Sequence, residues 1–161
     1  MATQQTNGKR RVDTQARERP LGDVLEFLRL LWAINHGLNT TSRRMQNEFG
    51  ITGQQRLVIR IIGAFPGLSA GELAQVLHIH PSTATGILQR LASRRLVQRR
   101  ADPGDARRLQ LQLTPKGRRL TVPRVGTVEA SVRRTLGRFK TADVKRTREV
   151  LLALSSSLRL D

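Results

Sequence analysis
The 161-residue chain contains no cysteine. Disulfides, thiol catalysis, cysteine-based redox sensing and Cys-type zinc sites are therefore excluded. No stretch approaches the roughly 18 consecutive apolar residues that a membrane span needs. The N-terminal residues are polar and lack the apolar core of a signal peptide, so the expectation is a cytoplasmic protein. No glycine-rich phosphate loop follows a strand, and no Ser/His/Asp order has a supporting local motif, so nothing points to catalysis. Acidic residues are also scarce: 12 Asp and Glu face 29 Lys and Arg, for a formal net charge of +17. A charge that large favours a polyanionic partner, nucleic acid or an anionic membrane surface.

The charge is uneven. Residues 1–19 carry a net +3, residues 20–80 +1, residues 81–119 +8 and residues 120–161 +5. The third segment holds ten basic residues against Asp102 and Asp105. It coincides with the part of the chain that has the most distinctive pattern of elements. Residues 1–19 show no apolar periodicity and read as a disordered basic tail. Residues 20–161 read as one domain, long enough to bury a core.

Leu21, Val24, Leu25, Leu28, Leu31, Trp32, Leu38, Met45 and Phe49 keep helical spacing, which predicts a first helix over about 21–49 with Gly50 as its C-terminal cap. Gly37 and the 39–42 run weaken its middle, where a kink is expected. Thr52 and Gln55 form a capping box that opens a second helix, with Leu57, Val58, Ile61 and Ile62 expected on its buried face. Ser69 and Glu72 form another and open a third, expected to bury Leu73, Ala74, Val76 and Leu77. A fourth starts near Pro81-Ser82, with Ile87, Leu88 and Leu91 towards the core. Ser82, Thr83, Thr85, Gly86, Gln89 and Arg90 fall on its other side. Short polar residues at the N-terminal end followed by longer ones suit a helix that enters a major groove.

After Leu96 come Val97-Gln98-Arg99-Arg100, a turn-rich 101–106 segment, and Arg107-Arg108 leading into an alternating Leu/Gln strand. Asp-Pro-Gly-Asp is strong turn chemistry, and the whole reads as a β-hairpin. Its arginines, Arg99, Arg100, Arg107 and Arg108, suit a narrow minor groove, where negative potential is concentrated. Asp105 is expected to pair with a nearby arginine and hold the tip in shape. Thr114-Pro115 caps a fifth helix expected to reach about Gly137, with Pro123 kinking it near Thr121. Thr141 is expected to cap a sixth, with Val144, Leu151, Leu152, Leu154 and Leu158 as its apolar stripe. The fold class is thus mainly α with a small β-hairpin wing: a winged helix-turn-helix over about 52–114, flanked by long dimerisation helices over about 20–50 and 115–161.

His78-x-His80 has the look of a metal-ligand pair, but the only other histidine is His36 and no carboxylates cluster nearby. No metal and no cofactor are expected, and both residues read as loop histidines. Trp32 and His36 on the first helix and Arg56 and Arg60 on the second offer an aromatic and cations for a small anionic effector. The alternative is a core tryptophan and solvated arginines.

The run from Ser69 to Gly117 resembles the MarR family of transcription regulators. The resemblance rests on Glu72-Leu73-Ala74, Ser82-Thr83-Ala84-Thr85, Arg90-Leu91, Leu96-Val97, Arg99-Arg100, Asp105-Ala106-Arg107 and Leu111-Gln112-Leu113-Thr114-Pro115-Lys116-Gly117. The Asp-x-Arg followed by Leu-x-Leu-Thr and a glycine is its most specific element. With the flanking helices it covers about residues 20–160. It implies a two-fold dimer clamped by the first, fifth and sixth helices, bound to double-stranded DNA at a short inverted repeat. It also implies a repressor, released by a small aromatic acid held between the first, second and fifth helices. Gly86 stands where many relatives have a basic residue, and Arg95 where many have glycine, so Arg95 is expected in a left-handed conformation. The alternative function is a sequence-tolerant architectural DNA-binding protein. A third reading is a small-molecule or metal-binding module with incidental DNA contacts.

Overall fold
The structure, a computed structural model, describes residues 21–102, 104–105 and 107–158. The expected basic tail of residues 1–19 lies outside them. The elements run α1 (Asp23–Phe49), α2 (Gly53–Ala64), α3 (Ala70–Leu77), α4 (Pro81–Ser93), β1 (Val97–Ala101), β2 (Leu109–Leu113), α5 (Pro115–Arg119), α6 (Val128–Leu136) and α7 (Thr141–Ser157). The chain divides into two units, one ending at Gly37 and one beginning at Leu38.

The first unit contains the N-terminal part of α1, which follows a left-handed glycine, Gly22 (φ 73°). Its large apolar side chains, among them Leu25, Leu28 and Trp32, are exposed. Glu26 pairs with Arg29 one turn on, and this guanidinium holds the carboxyl below the usual glutamate range. The helical assignment continues unbroken through Gly37, where a kink was expected.

The second unit holds the core. Ile51, Val58, Ile59, Ile62, Leu73, Ile87, Leu88, Leu91, Leu96, Val97, Leu111 and Leu113 form one buried cluster. It joins α2, α3 and α4 to the antiparallel β1–β2 hairpin, in which Val97 faces Leu113 and Ala101 faces Leu109. Both expected capping boxes are formed. The Thr52 side chain accepts from the Gln55 N–H, and the Ser69 side chain from the Glu72 N–H. Two burial expectations do not hold. Leu57 and Val76 are exposed, while Ile59 is fully buried. The helical rotation of α2 and α3 against the core is set by their caps and by the neighbouring strand, so the apolar residue one step round is left outside.

Both helices of the helix-turn-helix end on a left-handed residue that is not glycine, His78 (φ 53°) after α3 and Arg95 (φ 54°) after α4. In each case the next residue's N–H returns to the preceding helix, Ile79 to Ala74 and Leu96 to Leu91, at 3.1 and 2.9 Å. This is the Schellman arrangement, which ordinarily takes glycine because a Cβ crowds the following carbonyl. The expectation for Arg95 is met. Arg95→Gly should therefore raise thermal stability by about 1 kcal/mol, read from a denaturant melt. A melt that shifts down would mean that the Arg95 side chain contributes more than the strain costs.

The C-terminal half departs most from expectation. The expected helix from Thr114 to about Gly137 is broken, not kinked. α5 stops at Arg119, an irregular segment follows, and α6 starts at Val128. Pro123 cannot donate to a helical ladder, and Gly126 adopts φ 81°, so the helix stops before both and restarts beyond them. Thr127, fully buried, caps the restart through the Ala130 N–H. α7 starts one residue earlier than expected. Lys140 occupies the cap position with no side-chain bond, and Thr141 is the first helical residue. Val132 and Leu136 on α6, and Val150, Leu151 and Leu152 on α7, are exposed.

Candidate nucleic-acid interface
The sequence places a proline at the start of α4, where its missing N–H is not needed. The helix is capped by His80, whose Nδ1 accepts from the Ser82 N–H at 3.3 Å and lies 2.8 Å from the Ser82 hydroxyl. Ala84, Ile87, Leu88 and Leu91 are buried and fix the rotation of α4. Ser82, Thr83, Gln89 and Arg90 are exposed, and Thr85 and Gly86 half-exposed, along the side the core leaves free. A Cβ on Gly86 would meet only the Arg90 Nη2, at 4.0 Å, so this part of the helix surface is open.

The hairpin is fixed at its base by its own ladder and at its side by the segment before α3. The Leu111 N–H donates to the Leu68 carbonyl at 2.7 Å. At the far end the Asp102 N–H donates to the Arg108 carbonyl at 2.8 Å, and the Gly104 N–H to the Asp102 carboxylate at 2.8 Å. Gln110 Nε2 donates to the other Asp102 oxygen at 2.6 Å. Arg99, Arg100 and Arg107 are exposed and have no ion-pair partner among the described residues.

Two assignments at the wing need correction. Asp105, expected to pair with an arginine side chain, instead accepts the Arg107 backbone N–H at 3.0 Å. The carboxylate lies two residues back, which suits an Asx turn better than a reach to a guanidinium. Arg108, expected among the DNA contacts, has its Nη2 on both oxygens of Glu72, at 2.6 and 2.8 Å. Nothing in the sequence pairs residues 36 apart; only the docking of the hairpin on α3 does so.

The expected effector set is also rearranged. Arg56 is 4% exposed and fully engaged within the chain. Its Nη1 donates to the Leu120 carbonyl and its Nη2 to the Val122 carbonyl, each at 2.7 Å, and Nε and Nη2 both reach Glu129 at 3.1 Å. Arg60 donates to the Thr121 carbonyl and lies 3.7 Å from Glu129. Arg60 also lines an open cleft of about 740 Å³ with Gly63, Gly67, Gln110, Gln112 and Arg118. Trp32 and His36, in the other unit, are exposed, so the alternative of a core tryptophan does not hold. No group of three or more potential metal ligands occurs among the described residues. None of their helices is long and apolar enough to cross a membrane.

Two carboxylates of this region sit below their ordinary range. Glu72 is held down first by the Ser69 N–H, then by the Ser69 hydroxyl and Arg108. Asp102 is held down first by the Gly104 N–H, then by the Gln110 side chain. A depressed folded pKa means stability that is present above the unfolded value and lost as pH falls through the folded one. For Glu72 that loss begins only below the ordinary 4.5. Unfolding midpoints should accordingly show no contribution from Glu72 between neutrality and about pH 5, and a fall in more acidic buffer that is smaller in Glu72→Gln. An equal fall in both proteins would remove Glu72 from the acid response.

Two capped helices at a tight turn, a third element's strand pair at their side and a basic hairpin tip define a winged helix-turn-helix. Residues 49–108 match the model of the MarR family. The HTH-type transcriptional repressor Rv2887 of Mycobacterium tuberculosis is 27% identical over 127 residues, which cover 79% of this chain and 91% of that protein. The HTH-type transcriptional regulator FarR of Neisseria gonorrhoeae is 37% identical over 83 residues, 52% of this chain and 57% of that protein. Among solved structures, MarR from Oenococcus oeni PSU-1 superposes with a TM-score of 0.69 at 21% identity, covering 82% of this chain and 98% of that one. The S. aureus MepR–DNA complex gives 0.67 at 22% identity, with 82% and 97% covered. The matched segment and the superposed structures give the chain a winged-helix fold similar to that of the MarR family. The chain is a transcriptional regulator with the winged-helix fold of that family, and not an enzyme.

Proposed function
We propose that the chain works as a homodimeric repressor in the cytoplasm, associated with the nucleoid. In this reading α4 enters successive major grooves of an inverted repeat and the wing enters the flanking minor groove. The observation that carries it is the exposed row Ser82, Thr83, Gln89 and Arg90 on a helix whose rotation is fixed by four buried residues. Groove recognition needs side chains held in register by the scaffold behind them. The names of the Rv2887 and MepR–DNA relatives support the repressor and DNA-binding parts of the reading.

Dimerisation through the flanking helices is supported by the apolar side chains left exposed on α1, α6 and α7. Apolar surface of that extent is removed from water most readily by a second copy. For an anionic effector, the four expected residues are not all free to form one site. Of the four expected residues, Arg56 is engaged within the chain, while Arg60 lines the cleft shared with Arg118. That cleft is where a carboxylated aromatic ligand should be sought.

Selection from random duplex DNA by the purified protein, followed across salt concentrations, tests the reading. Enrichment of one inverted repeat with half-sites about 10 bp apart is expected. On that operator Arg107→Ala should lose on the order of 1–3 kcal/mol of binding at physiological salt. Binding equal to wild type would remove the wing from the interface. A second reading, sequence-tolerant DNA coating, is favoured by one observation. Residues 114–140 hold eight basic residues and only Glu129 as an acid, so the densest charge lies beside the winged core as well as on it. Tight, steeply salt-dependent binding to every duplex without enrichment would select that reading.

A further inference from the structure
The wing of this protein is tied to the helix-turn-helix by a residue outside the wing. Glu72, in the first turn of α3, uses its carboxylate twice. One oxygen accepts the Ser69 N–H at 2.7 Å and closes the α3 capping box. The same carboxylate receives Arg108 Nη2 at 2.6 and 2.8 Å. Arg108 in turn is the last residue before β2, and its carbonyl closes the hairpin through the Asp102 N–H. A second tie, from the Leu111 N–H to the Leu68 carbonyl, runs beside it. Among the described residues of the tip, Gly104, Asp105 and Arg107 are exposed, and the other bonds there are the turn bonds and the Gln110–Asp102 bond. Beyond the ladder and the Leu68 tie, which anchor the base of the hairpin, the Glu72–Arg108 pair is the tie that reaches the residue next to the tip.

We propose that Glu72 and Arg108 form a wing clamp, and that both are positioning residues for DNA binding that do not themselves contact DNA. The proposal rests on the reading of the wing as a DNA-contacting element. It assigns the arginines different work: Arg107, Arg99 and Arg100 point their unpaired charge outwards, while Arg108 spends its charge on Glu72. The direction of the effect separates this from simple electrostatics. Removing a negative charge close to a DNA-binding surface should ordinarily strengthen binding. Loss of a clamp weakens it instead, because a free hinge must be ordered each time the wing enters a groove.

The test uses Glu72→Gln, Arg108→Gln, the double variant and Arg107→Gln in the full chain, on the operator that random-duplex selection yields. Gln is an accepted capping-box residue, so Glu72→Gln keeps the start of α3. Glu72→Gln should bind several-fold more weakly than wild type. The double variant should be no weaker than the weaker single, because both remove one interaction. Arg108→Gln should leave the slope of log K against log salt unchanged, whereas Arg107→Gln should reduce it by about one. Tighter binding by Glu72→Gln, or a slope reduced by about one in Arg108→Gln, overturns the clamp. Amide exchange of the free protein is a readout that needs no DNA. Exchange over residues 107–111 should speed up in Glu72→Gln, and unchanged exchange also overturns the clamp. If Arg107→Gln alters neither affinity nor slope, the wing reading itself fails, and with it the clamp's part in binding; faster exchange in Glu72→Gln would then mark the pair as structural only.

Discussion

Gly117→Ala should destabilise the protein by more than about 3 kcal/mol, one of the largest effects available to a single methyl group here. Gly117 is buried in the short helix α5. A Cβ built on it would lie 2.0 Å from the Leu96 carbonyl oxygen, 3.0 Å from the carbon of that carbonyl and 3.5 Å from a Leu113 methyl. The first two are backbone, so no rotamer change relieves the clash. Three hydrogen bonds hold the approach. The Thr114 N–H donates to the Leu96 carbonyl at 3.1 Å, the Thr114 hydroxyl donates to the Arg95 carbonyl at 2.7 Å, and the Gly117 N–H donates to the Thr114 oxygen at 3.0 Å. Relief requires α5 to lift from the start of β1, which opens the core at Leu96 and Leu113, both buried. Gly71→Ala is the matched control. Nothing lies within 4 Å of its Cβ position, and it sits inside α3 without a positive φ. That change should stabilise by roughly 0.5–1 kcal/mol. Urea melts of the two variants should move in opposite directions. A Gly117→Ala melt coincident with wild type would show that the close approach is not a constraint of the folded state.

The same glycine shows what the chain discloses by itself. Its place at the end of Leu-x-Leu-Thr-Pro-Lys-Gly was legible as a motif, but its reason is a carbonyl 21 residues earlier that only packing brings over it. Local chemistry read well at the two capping boxes and at Arg95, and less well at Asp105 and at the start of α7. Thr52 with Gln55 and Ser69 with Glu72 form the capping boxes they spell, and Arg95 adopts the left-handed conformation expected of it. These features depend on atoms within four residues, so the sequence contains the whole interaction. Long-range features read poorly for the converse reason. Arg108 looked like one of four equivalent wing arginines until Glu72 came beside it. Leu57 and Ile59 both fit a helical stripe, and only the core decides between them. Pro123 considered alone predicts a kink, where the structure has a stop of α5 at Arg119. Gly126 and the Thr127 cap together make a fresh start cheaper than a kinked continuation.

Arg56→Met should be the second large loss, about 3–5 kcal/mol in a denaturant melt, the range for removing one partner of a buried charge pair. The Arg56 side chain is 5% exposed, and Glu129 is 25% exposed. The guanidinium does more than pair with that carboxylate. It satisfies the carbonyls of Leu120 and Val122, which belong to the segment between α5 and α6 and have no helical partner for the purpose. Methionine fills much of the volume but leaves two carbonyls and a carboxylate without their donor. Arg56→Lys should recover little, because one ammonium cannot span two carbonyls and a bidentate carboxylate. Glu129→Gln should cost less than Arg56→Met, since both carbonyl bonds remain and the residue is partly solvated. The ordering also separates the two roles open to Arg56. As a scaffold residue, its loss lowers stability and speeds amide exchange over residues 120–129, with or without ligand. As an effector cation held ready for a small anion, its loss would leave the melt unchanged and abolish only ligand-dependent release of DNA. The geometry selects the first: a carboxylate ligand could reach Arg56 only by displacing Glu129, and would have to do so while the guanidinium kept hold of two backbone carbonyls.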